Sequence, residues 1–487
     1  MTALLQFEDR EIPVFHGETI ASALRKHGFP LSMECGGKNL CGKCRIKLLA
    51  GSFVYDGKIL NGSENDPPHV NACSLKMISS RGKAVFASSA NGIYITGTDS
   101  TEDADSIAID LGTTNVSAAL VSGGKILKNA ETVNRQVSSG DNVIGRIAFS
   151  SSADGEKILR RQLIDETIDP MLKKLTDHPE KIKHIIIAGN TVMTHFFFGK
   201  DPAPLGKYPF EPLIKNFTGN AGELGLTALL PETPVYAAEY IAGFIGGDIS
   251  AGLQVSGFGS PEKCELYIDS GTNCEMILNV RGSIYALSAA AGPAFERGAF
   301  RADAPGCIRH VKFRNGKWQF SPAGKTYSGF CGSALIDLLS ELYRYGFIDD
   351  HGRYKKETGL PENLLPPEEF IAELITAKAA ISSGLTILLK HAGISASDIR
   401  KVSLAGNFSL HTNIDNAVYT GILPDIPRNC FEKIGNASLN GAVMLAGDPA
   451  LIGKTAAWRS RIIHINPAEE PDYMKYFTSA MSLKRGG

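Results

Sequence analysis

Residues 107–121 read IAIDLGTTNVSAALV, and residues 266–280 read LYIDSGTNCEMILNV. Each is an apolar run that ends in an aspartate, bends at a Gly-Thr turn and continues as a second apolar run. Farther along, HIIIAGNTVMTH (184–195) and KVSLAGNFSLH (401–411) each set Ala-Gly-Asn behind an apolar strand. The order D-x-G-T, A-G-N, D-x-G-T, A-G-N is one layout written twice. A duplicated layout predicts two similar lobes with a cleft between them. Helical stretches such as ALIDLLSELYRYG (334–346) alternate with the strands, which argues for α/β lobes.

A Gly-Thr turn between strands offers backbone N–H groups and hydroxyls to an anion with no bulky side chain in the way. An aspartate just before it can hold Mg2+ through water. The turns Asp110–Thr114 and Asp269–Asn273 are therefore expected to clasp the phosphates of a nucleotide. Asp110, Gly112, Thr113 and Thr114 would serve from one lobe, and Asp269, Gly271, Thr272 and Asn273 from the other. Gly406 and Asn407 would give a flat backbone for the adenosine. One such turn alone would be an ordinary β-turn; the second copy in matching context carries the nucleotide reading. GDPALIGKT (447–455) resembles a P-loop but places five residues between its glycines, where the motif has four, and follows a helix-like segment.

The amino-terminal region has a different chemistry. ECGGKNLCGKC (34–44) and NACSL (71–75) place Cys35, Cys41, Cys44 and Cys73 as C-x5-C-x2-C followed by a distant cysteine. Tight cysteine spacing in a chain without secretory features reads as metal or redox chemistry. Four thiolates hold either zinc or an iron–sulfur cluster. Structural zinc favours paired C-x-x-C knuckles, so a glycine-bearing loop with three ligands and one distant ligand fits a 2Fe–2S cluster better. Strands are expected near ALLQF, EIPVF, RIKLLAG and AVFASS, with a helix in GETIASALRKHG that buries Ile20, Ala21 and Leu24 and stops at Gly28. The domains so drawn are 1–95, a polar linker 96–106 (TGTDSTEDADS), and 107–487. Within the last, one lobe covers about 107–250 and the second about 262–435, followed by a connecting helix and tail.

These segments resemble known families. The cysteine loop resembles β-grasp ferredoxins, with Asn39 where the family's loop often has glycine; asparagine tolerates the left-handed conformation such a position needs. The duplicated layout resembles the superfamily of acetate and sugar kinases, actin and heat-shock chaperones, a two-lobed, ribonuclease H-like fold. The likeness covers about 107–446, with GGDISAGL (246–253) and GNASLNGAVMLA (435–446) as connecting helices. The fusion of the two, together with AGNTVMTH, AGPAFERG (291–298), CGSALIDLL (331–339) and IGNASLNGA, resembles the reductive activators of corrinoid proteins. That resemblance implies ATP-dependent return of a partner's Co(II) to Co(I) for a methyltransferase system. It assigns a 2Fe–2S cluster to the four cysteines, phosphates and Mg2+ to the two turns, and an upstream electron donor. Asp269 is the first candidate to position the attacking water and Asp110 the second. No D-x-H-x-x-G signature is present, so cobalamin is expected on the partner. Larger family members carry an extra segment between the ferredoxin and ATPase domains, and the homodimer considered for the family would be built through it; here about ten residues join them.

Three other readings compete: an activator of 2-hydroxyacyl-CoA dehydratases, whose cluster cysteines lie inside the ATPase domain; a small-molecule kinase with a regulatory ferredoxin; and a chaperone-like clamp whose cluster senses redox state. In DSGTNCE, Cys274 stands where glycine is common, as either a tolerated small residue or a redox-sensitive thiol. The formal charge of −1 over 487 residues gives no basic excess for nucleic acid. The sequence lacks an uninterrupted apolar run of about 18 residues, so no membrane span is expected. The acids near the amino terminus do not suit a signal peptide, and a cytoplasmic location is the expectation. The tail EEPDYMKYFTSAMSLKRGG is expected to form a helix with Tyr473, Tyr476 and Phe477 packing back.

Overall fold

In a computed structural model, the structure describes all residues except 1, 9, 30, 32, 34–36, 38, 40–43, 87–92, 99–102, 213, 215, 272, 293, 296–306, 323, 325–326, 328 and 484–487; of 407, 408 and 454–456 it describes the backbone alone. The chain divides into two units, Met1–Asp248 with Ala442–Ile452, and Ile249–Gly441 with Gly453–Gly487.

The first unit opens with the β-grasp ferredoxin domain. Its five-stranded sheet runs in the order Arg10–Phe15, Thr2–Phe7, Arg81–Phe86, Arg45–Ala50, His69–Asn71, with Thr2–Phe7 and Arg81–Phe86 parallel. The helix Ile20–Lys26 begins at Thr19, whose hydroxyl accepts the Ser22 amide, and buries Ile20, Ala21, Ala23 and Leu24 against the sheet. Gly28 follows it at φ +77°. Leu5, Phe7, Ile46, Leu48 and Phe53 close this small core.

A seven-stranded sheet forms the first ATPase lobe. Three antiparallel strands, Ser106–Leu111, Asn115–Ser122 and Lys125–Val133, lie beside His184–Gly189 and Pro234–Ala237, which run parallel to the first. The edge is a surprise. Tyr94–Gly97, read from sequence as the end of one domain and the start of a linker, pairs antiparallel with Lys128–Glu131. Tyr94 and Ile95, both exposed, belong to the lobe sheet, and the connection from Phe86 falls in residues 87–92, outside the described residues.

The second unit repeats the plan. Cys264–Ser270, Cys274–Val280 and Ser283–Ala289 form the antiparallel trio, and Lys401–Ala405 and Phe431–Gly435 run parallel beside it. The registers coincide: Asp110 lies opposite Ala188 in one lobe, and Asp269 opposite Ala405 in the other. The helix Glu368–Ala392 packs on Cys274–Val280 and Ser283–Ala289, and the helix Gly332–Arg344 packs on His310–Arg314. Among the described residues one stretch, Glu362–Ala392, is long and apolar enough by length and composition to cross a bilayer, and 72% of its most apolar window is buried inside the structure. The tail helix Tyr473–Ala480 docks on it with Tyr473, Tyr476 and Phe477 against the core, while Lys378 Nζ donates to the Ala480 and Ser482 carbonyls. The P-loop look-alike lies across two helices, Ala437–Gly447 and Ala450–Arg459, which excludes a phosphate loop of that type.

Candidate functional site

Three places carry the chemistry expected from sequence. The first is the cysteine loop. Cys44 and Cys73 are buried, 1% and 6% exposed. Cys44 immediately precedes the strand Arg45–Ala50, and Cys73 lies in the short turn Ala72–Ser74. The two thiols meet. A hydrogen bond with Cys44, then the Asn39 amide and the Ser74 hydroxyl, lower the Cys73 thiol to about 6, against burial, which pushes it up. Cys35 and Cys41 lie outside the described residues. Asn39 holds φ +63°, the left-handed conformation anticipated for it. Its side chain is pinned from three sides: its carbonyl oxygen accepts from Asn71 at 2.9 Å and Tyr55 at 3.1 Å, and its amide donates to Asp56 at 3.2 Å. A buried thiol pair in hydrogen-bond contact, with the Cys73 thiol lowered, suits a thiolate-bound cluster.

The second place is the turn after the Ser106–Leu111 strand. A side chain at Gly112 would collide with the Asn115 carbonyl, so only glycine fits the bend. Three elements lace the turn. Asn134 Nδ2 donates to the Gly112 carbonyl at 3.0 Å, and the Asn134 amide to the Thr114 carbonyl at 2.8 Å. Arg146 Nη2 donates to the Thr113 carbonyl at 2.6 Å, and Asn190 Nδ2 to the Thr113 hydroxyl at 3.0 Å. A turn whose carbonyls are bonded inward presents its amides the other way, which is what an anion requires. Asp110 sits at the strand's end, and Glu131 across the sheet has its carboxyl raised, by burial first and then by the Asp110 charge. Asn134, Arg146, Asn190 and Glu131 were not singled out from sequence. The Ala-Gly-Asn repeat held the one available signal, because Asn190 caps the helix Thr191–Phe197 and reaches the Gly-Thr turn from there.

The third place is the matching turn of the second unit. Gly271 N–H donates to the Asn273 carbonyl at 2.8 Å, and Tyr267 Oη to Asp269 Oδ2 at 3.4 Å. Thr272 lies outside the described residues. Gly406, at φ +84°, backs directly onto this turn: a Cβ there would stand 2.8 Å from the Ser270 carbonyl and 3.1 Å from Asp269 Oδ1. Asn407 begins the short helix Asn407–His411. The structure thus brings the second acid–Gly–Thr turn and the Ala-Gly-Asn bend together. Cys274 is fully buried. Burial first, then the neighbouring Glu275, push its thiol far up, so it stays protonated and inert at neutral pH. In CGSALIDLL, Asp337 is 1% exposed, accepts the Asn416 amide at 2.7 Å and faces His310 Nδ1 at 3.1 Å; His310 lines a cavity of about 420 Å3 with Lys312, Gln319 and Asn413.

Known proteins align along the whole of this architecture. The family described as the 2Fe-2S iron-sulfur cluster binding domain matches residues 5–77, the RACo middle region matches 106–260, and the C-terminal domain of RACo, the ASKHA domain, matches 263–486. The corrinoid activation enzyme RamQ of Eubacterium limosum is 28% identical over 412 residues, 76% of this chain and 69% of that protein. The [Co(II) methylated amine-specific corrinoid protein] reductase of Methanosarcina barkeri is 22% identical over 380 residues, 68% of each chain. Among solved structures, a reductive activator for corrinoid, iron-sulfur protein superposes over 99% of this chain and 98% of its own, with a TM-score of 0.69 at 24% identity.

Proposed function

We propose, for a chain that belongs to the reductive activators of corrinoid proteins, that it uses ATP to return a partner's corrinoid cobalt from Co(II) to Co(I), one electron at a time, in service of a methyltransferase system. One observation carries the reading: a buried thiol pair, Cys44 with Cys73, shares a chain with two acid–Gly–Thr turns set in the same sheet register. Cys35, Cys41, Cys44 and Cys73 would hold a 2Fe–2S cluster, which when bound supplies the single electron.

The need for ATP follows from energetics. Plant-type clusters sit near roughly −400 mV. Co(I) is a still stronger reductant, and each 100 mV of mismatch costs about 2.3 kcal/mol per electron. Nucleotide binding and hydrolysis must offset that cost. The turn Gly112–Thr114, with its carbonyls bonded inward, takes phosphate oxygens on its amides and hydroxyls. In the second lobe Thr272 and Asn273 would offer groups to phosphate oxygens, the Gly271 amide being engaged by the Asn273 carbonyl, and the Gly406 backbone, packed against Ser270 and Asp269, would serve the adenosine. Asp110 and Asp269 would hold Mg2+, which when bound would offset phosphate charge, and Asp269 would orient the attacking water. On this reading the corrinoid protein and an upstream electron donor are the partners, and the protein works in the cytoplasm.

The test is anaerobic mixing of the cluster-loaded protein with a Co(II) corrinoid protein. Appearance of the Co(I) absorbance on adding ATP, and its absence without ATP, is the expected result. Transfer of phosphate to a small metabolite with no cobalt reduction would instead establish the kinase alternative.

A further inference from the structure

The cysteine loop and the first phosphate turn belong to different domains, yet one short segment touches both. Asp141 Oδ1 accepts the backbone amide of Met33, two residues before Cys35, at 2.9 Å. Its other oxygen pairs with Arg25 at 3.5 Å, and Arg25 Nε also donates to the Ser138 carbonyl at 3.2 Å. Both partners of the ion pair are substantially covered, 25% and 20% exposed. The residue before Asp141 is Gly140, whose carbonyl accepts Arg146 Nε at 2.9 Å. The same guanidinium donates to the Thr113 carbonyl in the phosphate turn at 2.6 Å and to Gln136 Oε1 at 3.1 Å. Arg146 has no exposed surface. Burial lowers its pKa to about 9, so it is charged at neutral pH, with the Asp141 carboxylate acting to retain that charge. A guanidinium holds its donors in one rigid plane, so its bonds to the Gly140 and Thr113 carbonyls tie the two together.

We propose that Gly140–Arg146 is a coupling lever, in which Arg146 follows the Thr113 carbonyl and Asp141 thereby sets how firmly Met33 of the ferredoxin domain, two residues before Cys35, is held against the first lobe. Asp141 and Arg146 are positioning residues on this account, and neither touches a reacting atom. The lever gives the nucleotide a physical route to the electron-carrying domain, so the inference rests on the nucleotide reading above.

Hydrogen exchange of the full chain, cluster-loaded and anaerobic, tests it at the Met33 amide with and without ADP or a non-hydrolysable ATP analogue. In the unmodified protein the two nucleotides should leave Met33 protected to degrees differing about fivefold. Asp141→Ala should raise Met33 exchange and erase its nucleotide response, while nucleotide affinity stays within about twofold. Asp141→Asn, which keeps the oxygen for the Met33 amide but loses the charge facing Arg25, should fall between them. Unaltered nucleotide response in Asp141→Ala, or tight nucleotide binding with no response at Met33 in the unmodified chain, would overturn the lever alone. Absence of any nucleotide binding would overturn the proposed function and the lever with it.

Discussion

Among the described residues, the two acid–Gly–Thr turns share a strand register but not the same supports. In the first lobe, side chains from three elements lace the turn: Asn134, Arg146 and Asn190 bond its carbonyls and its Thr113 hydroxyl. The second is backed by a glycine at close approach and by a buried thiol, Gly406 and Cys274. A laced turn shifts when its laces shift, whereas a turn packed against backbone and a sealed core resists displacement. On the proposed function and the proposed lever, that difference is a division of labour within a duplicated fold: the first turn would answer to the ferredoxin domain, and the second would hold a fixed carboxylate.

The largest effect should come from the acids. Asp269→Ala is expected to lower ATP-driven cobalt reduction by at least about 100-fold with the cluster spectrum unchanged, and Asp110→Ala to lower it less. Equal losses, or full activity in Asp269→Ala, would erase the proposed asymmetry. Next comes the lace itself. Arg146→Met leaves the Thr113 and Gly140 carbonyls without their donor and should cost about 3–5 kcal/mol of first-unit stability, read in urea unfolding, with no counterpart in the second unit. Gly406→Ala forces a Cβ onto the Ser270 carbonyl at a φ that L residues avoid, and should cost about 1–3 kcal/mol with a matching loss of nucleotide affinity. The smallest change is expected for Cys274→Ala. It deletes a thiol held protonated by burial, so turnover should remain within about twofold, and thiol reagents should leave Cys274 unmodified in the native protein. Ready labelling would revive the redox-sensitive reading.

Much of this was legible from sequence because the residues sit where local chemistry demands them. The duplicated D-x-G-T and A-G-N bends, the strands around them, the left-handed Asn39 and the apolar faces of the ferredoxin helix and the tail follow from turn geometry and periodicity. Contacts made at a distance left no such trace. Arg146 lies in VIGRIAFS, where one cation on a short helix reads as solvated. Its burial depends on Thr113 and Met193, 33 and 47 positions away. Asp141 reads as loop punctuation, yet it meets Met33 across 108 positions. The edge strand Tyr94–Gly97 was missed because Thr96 and Gly97 open a polar stretch, and only pairing with Lys128–Glu131 gives them a sheet.

A single-turnover experiment bears most directly on the central claim. The protein is reduced beforehand, stripped of nucleotide and mixed anaerobically with one equivalent of Co(II) corrinoid protein, while electron paramagnetic resonance follows both the reduced iron–sulfur signal and the Co(II) signal. ATP-dependent, parallel loss of the two signals in equal amounts is the predicted result. Loss at the same rate without nucleotide, or persistence of both signals after ATP is added, would contradict it.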